Sequence, residues 1–572
     1  MIRLPARPRL LIWSALALAV LALTLLRSAG LRDYSTWIID EERIVTTALG
    51  FLGGDLNPRW FNYHTLPMYI LAAWYTAQYA VYSVLGLVAS KTEFVAFLYG
   101  ADAHVYVSAK LCFSLAYSLG CLVLALMAHR RTGSLAVAAL CLLLPVLLPD
   151  GQAAAVQVRN DTFVFLFLAL TAYFACFAQP RPRNAYLAVA CAAAAFASKI
   201  PAIVLLPVLT AWLALQAWRG RLAWRHVALA LALFPLFVFL FMPYMVLDFE
   251  AYRPTIERAA GRASGTLLHV GKDYHSGLTE KLSSLLAATL KQVGAPVLVG
   301  ALGTALYGAW RDRRLLFAFL FGLAYVTAFA TSVTLDDYWL RPVFPLFVCL
   351  ALLLPWLLVA DPAVGGRLPA PWRAPGVALL AGLLLTAPLW HGARPFLRSV
   401  AAQPPDTRVV AARWIEDNLP AGAPVVLEGW LPHYLPRLFT PDPATELAVQ
   451  NYLIPTVTAN RTLMEAFAWY MWGAVGVTKP FRVRVLSQTV QTGYDPRALR
   501  LNAGDYVVIS ELIYKRFYQE NLARQAPQLT ANARRFYAMV RAQEPVREFA
   551  GQGPRIEIYR MRQGWWGAPP PR

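Results

Sequence analysis

Long apolar runs separated by short basic links occupy most of the first 391 residues. Runs at 10–29, 104–128, 134–149, 161–178, 184–198, 199–218, 226–247, 286–310, 315–333, 342–360 and 375–391 each approach the length that crosses a hydrocarbon core. They predict about eleven transmembrane helices, the first retained rather than cleaved as a signal peptide. A further run, 66–88, carries Tyr69, Trp74, Tyr75, Tyr79 and Tyr82, the residues that favour a membrane interface. It reads as an outer juxtamembrane or re-entrant helix. After about 392 the pattern changes, and 405–572 is polar and Pro-rich. Thr407 to Asn418 has the period of an amphipathic helix, with Val410, Ala411, Trp414 and Ile415 on one face. Pro424 to Glu428, Asp505 to Ser510 and Pro554 to Tyr559 read as strands. The prediction is a polytopic α-helical membrane protein, 1–391, followed by a small α/β extracytoplasmic domain, 392–572.

Charge sets the orientation. The clusters Arg130-Arg131, Arg181/Arg183, Arg219 to Arg225, Arg311 to Arg314 and Arg367 to Arg373 are separated by pairs of spans. Short basic loops stay on the cytoplasmic side. The N-terminus is therefore inside, and the loop 30–103 and the C-terminal domain are outside. Counting 66–88 as a crossing would break this parity. The whole chain is 58% hydrophobic and 15% charged, with net charge +20, and its mean hydropathy is +0.47. The excess of Arg is spent on these links, so nucleic-acid binding is not expected. Cys112, Cys121, Cys141, Cys176, Cys191 and Cys349 all lie in apolar runs, without a CxxC pair, and read as packing residues. Among ionisable residues inside the spans, Lys110 and Lys291 are expected to snorkel to an interface. Lys199 sits at the turn Ser198-Lys199-Ile200-Pro201, facing outward.

Candidate chemistry gathers on the outer side. The first outer loop holds Asp40-Glu41, Gly54 to Pro58 and His64-Thr-Leu-Pro67. Asp40 and Glu41 are candidate general bases, although Asp40 could instead cap the helix that follows. Asp161, in Arg159-Asn-Asp161, opens a span and is open to the same two readings. Arg341, in Asp336-Asp-Tyr338-Trp-Leu-Arg341-Pro, suits a phosphate or an ion pair with Asp336 or Asp337. Lys199 and the loop His269-Val-Gly-Lys272-Asp-Tyr-His275 supply further cations. His64 is a candidate positioning group or a structural hydrogen-bonding residue. Asp40, Glu41 and Asp161 could share a divalent ion, but no ligand spacing supports a metal site.

In order along the chain, these motifs resemble the GT-C superfamily of polyprenyl-phosphate-sugar-dependent glycosyltransferases. Within it they resemble family 39, the protein O-mannosyltransferase and aminoarabinose-transferase group. The marks are Asp40-Glu41, Gly54 to Pro58 with His64 to Pro67, Arg159-Asn160-Asp161, Ser198-Lys199, and Arg341 to Pro345. Two departures are Thr65-Leu66-Pro67, where the family often has paired prolines, and Arg341-Pro342, where it often has Arg-Tyr.

The resemblance implies a lipid-linked sugar donor and a lipid, glycan or protein acceptor, with inverting transfer at the outer face of a bacterial inner membrane. Asp40 would be the base, and Glu41 and Asp161 would orient acceptor or sugar. Arg341, Lys199 and Lys272 would hold the leaving phosphate. His64, Arg159, His275 and Tyr338 would position substrate. A transporter or flippase is the rival, predicting internal repeats and mid-membrane charge pairs. A non-catalytic assembly protein is a third reading.

Overall fold

The computed structural model describes chiefly residues 39–61, 63–98, 104–147, 157–264, 278–329, 340–361, 406–428, 481–486, 500–518, 526–551 and 553–566. The chain opens with α1 (Ile39–Gly50), α2 (Leu66–Val84) and α3 (Lys91–Leu98). The bundle follows: α4 (His104–Thr132), α5 (Leu135–Leu147), α6 (Asp161–Ala172), α7 (Pro182–Phe196), α8 (Leu205–Trp218) and α9 (Trp224–Phe241). It continues through α10 (Tyr244–Leu247), α11 (Phe249–Ser264), α12 (Leu278–Val293), α13 (Ala295–Trp310), α14 (Arg313–Ala328) and α15 (Phe344–Ala360).

Among the described residues, three helical stretches are long and apolar enough to cross a membrane: Val105–Thr132, Ile200–Trp218 and Trp224–Phe241. α5 and α15, and α6 with the π turn Tyr173–Phe177 behind it, are shorter apolar helices. The protein is thus a multi-pass membrane protein, while eleven crossings is a count these helices do not fix. Most of 375–391 and half of 10–29 lie outside the described residues. α2 is not among the helices that qualify as spans.

The run 286–310, read from sequence as one span, divides into α12 and α13, which meet at 106°. The division falls at Gly294, whose φ of +79° is a conformation that favours glycine. Lys291 is exposed on the last turn of α12.

The largest core runs through α4 to α9 and α13 to α15. A second core seats α1, α2 and α3 on the first half of α4 through Ile44, Leu71, Tyr75, Phe94, Tyr106 and Phe113. The basic links meet at one end of the bundle. Arg131 pairs with Asp312 at 3.0 Å and Arg311 with Asp361 at 3.2 Å, while Arg130 donates to the Phe177 carbonyl at 3.2 Å. The charge parity read from sequence had put 130, 180 and 311 on one side.

The C-terminal unit begins with α16 (Thr407–Asn418), capped by Asp406, whose carboxylate accepts from the Arg408 backbone N–H. Its strands are β1 (Pro424–Leu427), β2 (Arg482–Val485), β3 (Arg500–Leu501), β4 (Tyr506–Ser510), β5 (Glu544–Phe549), β6 (Ile556–Arg560) and β7 (Trp565–Trp566). α17 (Glu511–Tyr514) and α18 (Pro527–Arg541) lie between β4 and β5. Five strands form one sheet in the order β2-β1-β4-β6-β5, with β2, β1 and β4 parallel and β6 antiparallel to both neighbours. The three strands expected from sequence are its adjacent central members. Ala411 and Ile415 are buried beneath it, with Val410 and Trp414 packed alongside.

Candidate active site

The end of the bundle opposite the Arg131–Asp312 pair is organised on five residues, Gln157 to Asp161, which lead into α6. Gln157, Val158, Asn160 and Asp161 each contact a distant part of the chain. The separation of the ends follows from α4 itself. Lys110 and Arg131 are both on this helix, about 32 Å apart at 1.5 Å per residue.

Glu41 reaches this segment from α1. Its Oε1 accepts the Val158 backbone N–H at 3.0 Å, and its Oε2 lies 3.9 Å from Lys110 Nζ. Both charged side chains are fully buried. Lys110 therefore does not snorkel. It is held inside, against the first outer loop, because a carboxylate there compensates its charge. Asp40 is the second residue of α1, within its first turn rather than ahead of it. The Asp40 side chain lies outside the described residues. Its backbone is nonetheless fixed by the neighbouring Glu41, whose Cα is about 3.8 Å away.

His64 is buried under the same segment. Its Nδ1 bonds the Phe196 carbonyl, and its Nε2 lies 3.3 Å from the Tyr252 hydroxyl. Burial pushes the imidazole down to about 4, opposed by the bond to Phe196. It is neutral at pH 7, so Nδ1 donates and Nε2 accepts. Asn160 occupies the cap position of α6 but does not cap it. Its Nδ2 instead donates to the carbonyls of His64, at 3.2 Å, and Ser198, at 2.9 Å. The Leu66 N–H donates to the Ala197 carbonyl at 3.2 Å, closing the junction. One buried amide thus pins together the turns at 64–66 and 197–199.

Asp161 begins α6, and its Oδ1 lies 2.5 Å from Lys199 Nζ. The Asp161 side chain is 7% exposed and that of Lys199 22%. The extended backbone at Lys199 projects this cation at the start of the turn Ile200–Val204. Arg341, between Leu340 and α15, donates from Nη1 to Gln157 Oε1 at 3.0 Å. Arg159 is half-buried on the same segment.

The structure thus brings together Glu41, His64, Arg159, Asp161, Lys199 and Arg341. Lys272, His275, Tyr338, Asp336 and Asp337 lie outside the described residues. Gln157, Asn160 and Lys110 belong to the site, and sequence reasoning gave none of them a role there. Asn160 was legible only as the middle of a motif, while Gln157 carried no signal. Among the described residues, no three of His, Cys, Asp and Glu cluster closely enough to hold a metal ion.

Residues 94–245 match the family described as dolichyl-phosphate-mannose-protein mannosyltransferase. The match is to a family of membrane glycosyltransferases. It takes in Lys110, Gln157 to Asp161 and Lys199, and it agrees with the GT-C resemblance read from the motifs. No curated protein matches the chain. Several solved structures are similar over nearly its whole length, among them the following two. ArnT from Cupriavidus metallidurans, bound to undecaprenyl phosphate, is 15% identical, with 97% of this chain and 98% of that one covered and a TM-score of 0.48. The archaeal oligosaccharyltransferase AglB from Archaeoglobus fulgidus, in complex with an inhibitory peptide and a dolichol-phosphate, is 13% identical. It covers 97% of this chain and 75% of its own, with a TM-score of 0.41.

Proposed function

We propose that this protein transfers a sugar from a polyprenyl-phosphate donor to an acceptor hydroxyl or amine, at the outer face of a bacterial inner membrane. The observation that carries the reading is the convergence on Gln157 to Asp161. Motifs drawn from five separated stretches meet there, at the end of the bundle away from the basic links. The match to the mannosyltransferase family over 94–245 supports a lipid-phosphate donor.

The reaction is a single displacement. The acceptor oxygen or nitrogen attacks the anomeric carbon and the bond from that carbon to the phosphate oxygen breaks. The acceptor proton passes to Asp40. The departing polyprenyl phosphate carries away the bonding electrons, and Arg341 and Lys199 face the charge it develops, joined by Lys272. Asp161 holds Lys199 in place for that task. Glu41, inside the protein, orients the site, while His64 and Arg159, with His275 and Tyr338, complete the positioning shell. As a neutral imidazole, His64 supports the 64–66 turn rather than binding phosphate by charge.

The test is transfer of radiolabelled sugar from a panel of polyprenyl-phosphate sugars by purified protein with membrane extract, Asp40→Asn beside wild type. Transfer with inverted anomeric configuration, lost in the folded variant, is the expected result. Retention of configuration would exclude the single displacement. Equal transfer by both proteins would remove Asp40 from the mechanism.

A further inference from the structure

A lysine and a glutamate, both fully buried, stand 3.9 Å apart between α4 and α1. Such a pair is costly to bury and is a poor device for stability alone. Its surroundings show another use. Glu41 spends its second oxygen on one backbone amide, that of Val158, in the segment where the other site contacts meet. Val158 is itself buried, with Gln157 and the Arg341 bond before it and Asn160 and Asp161 after it. Glu41 is also the covalent neighbour of Asp40. One carboxylate therefore joins the start of α1 to the Gln157–Asp161 segment, and Lys110 holds that carboxylate from the bundle.

We propose that Lys110 is a positioning residue. It acts through Glu41 to fix the distance between Asp40 on α1 and the Asp161, Lys199 and Arg341 groups. Without the ammonium, the buried carboxylate seeks solvation, and the Val158 amide loses its acceptor. The Gln157–Asp161 segment then loosens relative to α1, and near-attack geometry is lost although no substrate-touching group has changed. The requirement is a neutral balance plus an acceptor, not the lysine as such. A glutamine at 41 facing a methionine at 110 supplies both: the Gln oxygen still accepts from Val158, and no charge is left uncompensated.

The positioning does not depend on the proposed reaction, but its kinetic consequence does. Two readouts therefore separate them, both on the full-length protein. Hydrogen exchange over 157–161 reads the tether, and kcat and KM for sugar transfer read its consequence. Lys110→Met should speed exchange at Val158 about tenfold and lower kcat by about the same factor, with KM little changed. The Glu41→Gln/Lys110→Met double variant should recover both to within about threefold of wild type. The Glu41→Ala/Lys110→Met variant, which has no acceptor, should recover neither. If Lys110→Met does not fold, the two double variants still decide the matter between them. Equal exchange at Val158 in both double variants, or wild-type exchange in folded Lys110→Met, would overturn the proposal. If the wild type transfers no sugar from any polyprenyl-phosphate donor, the proposed function fails. The exchange comparison then still decides whether Lys110 and Glu41 tether this segment.

Discussion

Asp161 and Lys199 should act as one unit in catalysis, and their geometry sets the size of the effect. At 2.5 Å, in an environment of effective dielectric about 20, the gross attraction is roughly 7 kcal/mol. Desolvation cancels a large part of it, and breaking a fully buried pair costs about 3–5 kcal/mol. Lys199 keeps 22% of its side-chain surface in solvent, so water recovers some of the loss. About 3 kcal/mol, or roughly two orders of magnitude in rate, is the working figure. Asp161→Asn should lower kcat/KM for sugar transfer by about 100-fold, because an unpaired Lys199 no longer points at the departing phosphate. Lys199→Met should cost a similar factor. The double variant should be about as active as the worse single variant, since the second change removes nothing that is still working. The assay is transfer kinetics on detergent-purified protein, with gel filtration to confirm folding. Losses that multiply to about 10⁴-fold in the double variant would refute the argument, since independent groups combine in that way.

Under the proposed function, Arg341→Lys should weaken polyprenyl phosphate binding about tenfold by titration, because a lysine cannot both keep the Gln157 contact and present a planar donor fork. Gly308→Ala should lower the melting temperature more than Gly303→Ala. The added carbon would sit 2.6 Å from the Leu316 backbone nitrogen in the first case, but 2.6 Å from a Leu354 methyl, which can turn aside, in the second. In the C-terminal unit, burial raises the Glu428 carboxyl to about 7, opposed by bonds from Tyr537, the Ser510 N–H and Tyr494. The folded form therefore binds this proton more tightly than the unfolded chain does. The resulting stability is complete below about 4.5 and is lost as the pH rises through about 7. Subtracting the melting curve of Glu428→Gln from that of wild type should leave a slope in this window, and parallel curves would contradict it.

Much of the layout was legible in the chain because it depends on local chemistry. Apolar run length gave the membrane helices. Arg placement anticipated that residues near 130, 177 and 311 share one end of the bundle. Period-2 and period-3.6 patterns found α16 and the three central strands of the sheet. β2 and β5 were not picked out, although Arg482-Val-Arg-Val485 alternates polar and apolar positions; at four residues it is at the short end of the signal. Gly294 was just a glycine in an apolar run until its positive φ divided that run in two.

The sequence by itself determined which residue types were available to the site and which side of the charge pattern they lay on. Asp161, Lys199 and Arg341 could be named from motif and position alone. Their partners could not, because pairing is a long-range property. Arg341 meets Gln157 across 184 positions, and Glu41 meets Val158 across 117. Lys110 shows the reason most plainly. From sequence, a lone cation in an apolar helix is expected to reach toward water, since burying it unpaired is too costly. Only the packing of α1 on α4 brings a carboxylate within 3.9 Å, and this reverses the balance and turns the lysine inward.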